Sequence, residues 1–364
     1  LRMSRGLGDV YKRQQVLKEG EVQGSDVVAH SAGILDIKTN ILPNADALFL
    51  TAIDPYGHEL WRWTFPVNKL NQQTEQLSPL SSRPAYTETE NELTVKANKR
   101  AFIFSKKDGQ LKGVSVDNRK INFANGPRFI GARRADRSLD QFYNHDDEKA
   151  KEKDRTYSEF PDAAVFTKLD VKEDGGNLVV TANYKLGNLD KAQWTINPSG
   201  ELALDYTYNF SGVVDLMGIR FDYPEDQVIS KRWLGAGPYR VWQNRIHGTQ
   251  YDVWENDYND PIPGETFTYP EFKGYFGDVS WMNIQTKEGT ISLTNETPDA
   301  YIGVYQPRDG RDRLLYTLPE SGISVLNVIP PVRNKVNSTD LCGPSSQPKW
   351  VNGPQTGRVI FRFM

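Results

Sequence analysis

Four of the chain's eight tryptophans fall between Trp233 and Trp281, among arginines, asparagines and acids, with glycine and proline turns between them. Such a surface suits a sugar, because the apolar face of a pyranose stacks on an indole while its hydroxyls take polar partners. The residues that fit this role are Trp242, Asn244, Arg245, Glu271 and Tyr275. The same rings serve equally well as core and sheet-edge filler, since buried aromatics are commoner than binding ones. Gly235, Gly237 and Pro238 are expected to break the strand ending at Trp233 and Leu234, and Asn259, Asp260, Pro261, Pro263 and Gly264 to mark a long loop.

Other constellations carry less chemistry. His145, Asp146 and Asp147 offer ligands to a hard cation, but they open a run charged on every side, which reads as a solvated insertion. His30, His58 and His247 have no Ser or Cys partner at a meaningful spacing. The glycine-rich spots lack the spacing of a phosphate-cradling loop. The single Cys342 rules out an internal disulfide or a cysteine zinc site and leaves the compartment undecided. A net charge of −3, with 44 basic residues against 47 acidic ones, argues against a nucleic-acid surface. No run of eighteen apolar residues exists for a membrane-spanning helix. No cofactor and no metal is implied in this chain.

The elements that must hold these residues are strands. At 364 residues the chain has room for about two domains. Leu1–Gln14 shows no pattern that joins the strands after it and reads as a foreign segment. Residues 15–67 contain short apolar runs, ILDIKTNIL, ALFLTAI and ELWRWTFPV, with Asp54–Gly57 as a hairpin turn. The alternation in the last run puts Trp61, Trp63 and Phe65 on one face, expected to be a core. Residues 68–91 are polar, with two prolines, and read as a linker. From residue 92 to 364, strands recur about every 8 to 12 residues between Gly or Asp turns, the pattern of a large sandwich. LTVKA, AFIFS, LKGVSV, LVVTANYKL, LALDYTYNF, TISLTN, YIGVYQP, LLYTLP and VIFRF are the clearest. The pattern and the length leave no place for a (β/α)₈ barrel, which needs alternating strands and helices over about 250 residues.

GAGPYRVWQNR, Gly235 to Arg245, resembles the GxGPxExYxDR signature in the last domain of glycoside hydrolase family 2 β-galactosidases. Gly235, Gly237, Pro238 and Arg245 match; Arg240, Trp242 and Asn244 stand where that family has Glu, Tyr and Asp. Tyr269, Pro270, Glu271 and Gly274 resemble the family's PQExG segment, with the acid shifted by one. Ala97–Ile121 is similar to the strand, turn and strand that open the same domain, and Trp194–Phe210 to its central hairpin. The four segments come in the family's order. Residues 15–67 resemble the immunoglobulin-like linker domain that precedes it, with its first strands missing.

The resemblance implies an all-β chain, a partial immunoglobulin-like sandwich followed by a large galactose-mutarotase-like β-sandwich. It also implies that the chain is a non-catalytic C-terminal portion of a β-galactosidase. Its partners would be a galactoside-type carbohydrate and the catalytic barrel of the same polypeptide, and a homo-oligomer is compatible with it. The cleaving glutamates project from that barrel, so no catalytic residue is assigned here. Asn295-Glu296 imitates the family's Asn-Glu acid/base pair, and chance explains it, because the dipeptide sits where a strand runs into a turn. The family's site-facing tryptophan falls on Cys342, and Trp350 is the nearby substitute. Asn125–Asp147 keeps Gly-Pro-Arg but presents Arg133, Arg134 and Arg137, for an acidic sugar or for pairing with Asp136 and Asp140. Two other readings stay open: a free-standing carbohydrate-binding module, and an epimerase or lyase built on the sandwich. Deleting Leu1–Gln14 should leave the thermal midpoint unchanged, and a scanning-calorimetry drop of more than a few degrees would show that the segment packs.

Overall fold

Leu202, Leu204, Tyr206 and Tyr208 alternate with Ala203, Asp205, Thr207 and Asn209, so an extended chain here has one apolar and one polar face. Repeated along the sequence, that alternation builds two sheets whose apolar faces close on each other. The computed structural model describes residues 16–24, 27–37, 45, 47–67, 83–134, 157–257, 274–304, 319, 321–331 and 343–364. Among these residues the protein is all-β apart from two single turns of 3₁₀ helix.

The first pair, β1 (Ala47–Ile53) and β2 (Glu59–Pro66), is an antiparallel hairpin. Its turn is the expected one: the Gly57 N–H donates to the Asp54 carbonyl at 3.0 Å. The Asp54 carboxylate accepts the N–H groups of His58 and Tyr56 at 2.8 and 2.9 Å. These bonds, that from His58 first, hold its carboxyl below the usual carboxylate range.

The chain continues through β3 (Ala85–Glu88), β4 (Glu92–Ala97), β5 (Arg100–Ser105), β6 (Leu111–Val116), β7 (Arg119–Ile121), β8 (Ala124–Arg134) and β9 (Tyr157–Glu159). It then builds a second layer from β10 (Val165–Asp174), β11 (Asn177–Lys185), β12 (Leu189–Ile196) and β13 (Leu202–Val214). β14 (Leu216–Asp222) returns to the first layer, while β15 (Val228–Gly237), β16 (Gln250–Asp257), β17 (Trp281–Thr286) and β18 (Gly289–Asn295) extend the second. β19 (Tyr301–Gly303) and β20 (Ile323–Val328) end the first sheet, and β21 (Lys349–Phe363) enters the second.

The orders are β19-β20-β14-β8-β6-β5-β4-β3 for the first sheet, with β7 on β6 and β9 on β8. The second runs β10-β11-β12-β13-β21-β18-β17-β15-β16. One large core lies between them. Phe221 of β14 sits at its middle, stacked on Phe123 at 4.7 Å and edge-on to Phe361 and Trp194 at 5.4 and 6.0 Å, both from the facing sheet.

Four expectations change. Trp61, Trp63 and Phe65 do share a face, but it is the outer one: they are 55%, 43% and 47% exposed, while Thr51 and Arg62 on the opposite face are buried. Alternation says which residues go together and not which face is covered. On the covered face the Arg62 guanidinium lies over the Phe49 ring at 4.9 Å. Residues 34–37, the described part of ILDIKTNIL, form no strand, and Ile34 points outward. β3 lies inside the segment read as linker, so the large sheet begins at Ala85. Gly235 and Gly237 do not break β15; they belong to it. The charged run from Asp146 and the segment Leu1–Gln14 lie outside the described residues.

Phe221→Ala removes the ring on which both sheets converge and should cost about 3–5 kcal/mol, read as a lower urea midpoint at unchanged slope.

Candidate functional site

The glycines of the signature are there for close approach. A Cβ on Gly235 would stand 3.0 Å from the Gly277 carbonyl oxygen and from the Val279 Cα, and one on Gly237 would overlap the Trp254 indole. Hydrogen at Gly237 is therefore what lets the strand lie against Trp254, and at Gly235 it spares a tight contact with the backbone of residues 277–279. A cis peptide between Gly237 and Pro238 then turns the chain out of β15.

After that turn the backbone is tied down residue by residue. Val241 and Tyr275 exchange N–H···O bonds at 2.8 and 2.9 Å. Trp242 and Arg245 close a tight turn, the Arg245 N–H donating to the Trp242 carbonyl at 2.8 Å and the Trp242 N–H to the Arg245 carbonyl at 3.3 Å. The Gln243 N–H donates to the Pro330 carbonyl at 3.0 Å. Phe276 pairs with Ile302 through two bonds of 2.9 Å.

Around this backbone a second, smaller core forms on the other side of the ten-stranded sheet. It contains Ile130 and Ala132 of β8, Leu216 of β14, Leu326 of β20, and Val241, Trp242, Tyr275 and Ile329, with Tyr301 against it. Trp242 is 1% exposed and meets Tyr275 edge to face, ring centroids 5.7 Å apart. A Cβ on Gly274 would collide with the Val241 carbonyl and crowd the Trp242 indole nitrogen. Arg240, also buried, sets its guanidinium 5.2 Å from the Phe276 ring centre. Burial, helped by the Asp278 and Asp299 carboxylates, pushes the Tyr301 phenol up.

The six residues expected to bind sugar thus divide. Trp242 and Tyr275 are packed against each other, away from solvent. Asn244 and Arg245 lie in the turn that Trp242 begins; the Asn244 side-chain amide donates to the Ser346 hydroxyl at 3.2 Å. Glu271, with Tyr269, lies outside the described residues, as do Cys342, Arg137 and His145 to Asp147. Trp350 is 70% exposed, near the start of β21. The connection between turn and Trp350 runs through Asn244 and through Gln243, which the sequence did not flag. The Gln243 side-chain amide donates to the Gln347 carbonyl at 2.7 Å, so the turn is fastened to the segment that leads into β21. Two polar side chains next to an aromatic in a turn were the only signal that could have pointed there.

Asn295-Glu296 is likewise structural. The Asn295 amide donates to the Val279 and Thr297 carbonyls, both at 3.2 Å, and Glu296 pairs with Arg358 at 3.0 Å. Among the described residues no group of three His, Cys, Asp or Glu is placed to hold a metal ion.

Residues 96–330 match the family model described as beta galactosidase small chain. The chain belongs to that family. The match spans the opening strands, the central hairpin, the signature and the second core, while β21 lies beyond it. No curated protein matches the chain. Among solved structures it is similar to a galactose 1-epimerase from Lactobacillus acidophilus NCFM, at 11% identity and a TM-score of 0.43, over 78% of this chain and 99% of that one. It is also similar to a GalM/aldose epimerase homologue from C. elegans, at 7% identity and 0.34, over 77% and 99%. A mutarotase described as putative, from Salmonella typhimurium, stands at 10% and 0.34, over 79% and 95%.

Trp242→Ala should cost about 3–5 kcal/mol in urea unfolding, as for other deeply buried rings, while Trp350→Ala stays within about 0.5 kcal/mol.

Proposed function

We propose that this chain is the non-catalytic C-terminal part of a family 2 β-galactosidase-type glycoside hydrolase, and that it supplies a wall of the sugar site rather than its cleaving groups. One observation carries the reading. Residues of the two segments that resemble the family serve as framework: Gly235, Gly237, Trp242 and Gly274 pack against their neighbours, and the turn they build is fastened through Gln347 to the segment bearing an exposed indole, Trp350.

Retaining glycosidases cleave with two carboxyl groups about 5 Å apart. The acid of the dipeptide that imitates the family's catalytic pair, Glu296, is held by Arg358. Cleavage in this reading belongs to a barrel carried by the same polypeptide. Trp350 then contributes what an outlying aromatic can, an apolar ring face against the sugar. A rigid platform of this kind binds ground state and transition state alike, so its effect falls on KM and not on kcat.

The test has two arms. The chain by itself should show no turnover of nitrophenyl galactoside; steady turnover, lost on mutating one of its own residues, would sink the proposal. In the enzyme that contains the chain, Trp350→Ala should raise KM for galactosides roughly three- to tenfold with kcat nearly unchanged. Saturable galactoside binding by the chain alone that Trp350→Ala abolishes would make it a binding module instead.

A further inference from the structure

The outer face of the nine-stranded sheet carries a cavity of about 310 Å³, at the lower end of the size range for small-molecule sites. Its walls come from three neighbouring strands and one turn. Lys191 of β12 stands opposite Thr207 of β13, and Thr207 opposite Thr356 of β21; along the same strands, Asp205 stands opposite Arg358. Glu296 enters from the turn after β18, with Pro298 beside it.

The arrangement is built rather than incidental. The Arg358 guanidinium lies between two carboxylates, its Nη1 2.5 Å from Asp205 and its Nε 3.0 Å from Glu296. Its backbone is clamped by Thr297, whose hydroxyl donates to the Arg358 carbonyl at 3.1 Å and accepts the Arg358 N–H at 3.0 Å. The Glu296 N–H donates to the same carbonyl at 3.0 Å. Below the sheet, a Cβ on Gly357 would overlap the Tyr206 ring, so strand and turn meet with no slack. Burial pushes the Tyr206 phenol up to about 12, which leaves it neutral beneath the floor.

The groups left over decide the ligand. Arg358 engages one oxygen of each acid, so each carboxylate keeps lone pairs for a donor. Lys191 makes no ion pair among the described residues, and the Thr207 and Thr356 hydroxyls stand in register beside it. Two positive and two negative groups cancel. An anion would meet Asp205 and Glu296; a cation would meet Lys191 and Arg358. A ring of neutral hydroxyls, which donate and accept at once, uses all of these groups.

We propose that this cavity binds a single neutral pyranose, at a site distinct from Trp350 and additional to the wall role proposed above. Trp350 lies eight residues back along β21, about 26 Å at the rise of an extended strand.

Calorimetric titration of the chain with galactose, glucose and galacturonate tests this. A neutral hexose should bind with a Kd in the millimolar range. Lys191→Ala combined with Thr356→Val should weaken it about fivefold or more, with the melting temperature held within about 2 °C, since neither side chain supports the fold. Trp350→Ala should leave this binding unchanged, which separates the site from the platform. Absence of saturable hexose binding below about 50 mM overturns the proposal. So does hexose binding that the double variant leaves intact, or a preference for galacturonate over galactose.

Discussion

β21 holds the nine-stranded sheet together. Thirteen of its fifteen residues pair with β13, from Val214 and Lys349 through to Leu202 and Phe361, and on the other side it pairs with β18 from Asn295 to Ile291. Without it the sheet falls into β10–β13 and β18-β17-β15-β16, two pieces that share no ladder. The inward side chains Val359, Phe361 and Phe363 are fully buried, and two of them meet Phe221 or Phe102 of the opposite sheet. Its outward side is where both candidate sugar surfaces lie. Trp350 stands near one end and Arg358 further along, each fixed by the ladder bonds that close the sheet.

The second core answers to a related constraint. A segment with the turn chemistry of residues 235–245 has to satisfy its own backbone, since water is excluded where it crosses the sheet. It does so through Tyr275, Pro330 and its own turn. The buried indole of Trp242 fills the space that remains. The result is a rigid block on the face away from the main core, and a rigid block is what a site that must not move requires of its surroundings.

The strands were legible wherever one face is apolar and the other polar. β13, with Leu, Leu, Tyr, Tyr against Ala, Asp, Thr, Asn, could be read directly, as could β4 to β6. β3 could not: Ala85–Glu88 is exposed along its whole length, so its place is set by pairing with β4 and no burial pattern marks it. Gly235 and Gly237 were read as breaks because glycine signals turns locally, whereas here they answer to Gly277 and Trp254, distant contacts that a local pattern does not carry. Residue type marked the aromatics but not which of them is covered; Trp242 is buried because Gly274 lets it be, and Trp350 is exposed because its strand turns it outward. The residues lining the cavity around Arg358 were hidden for another reason. Asp205, Thr207 and Thr356 look like ordinary solvated positions, and only cross-strand register brings them to Lys191 and Glu296.

The position of β21 in the chain also constrains how the protein is made. On the ribosome, β13 and β18 emerge well before the strand that separates them, so each presents an open edge to the crowded surroundings while residues 296–348 are being added. Unpaired edges of this kind recruit other strands. The growing chain must therefore keep two sticky borders apart, neither able to pair with its final neighbour, until β21 has been translated and slides between them.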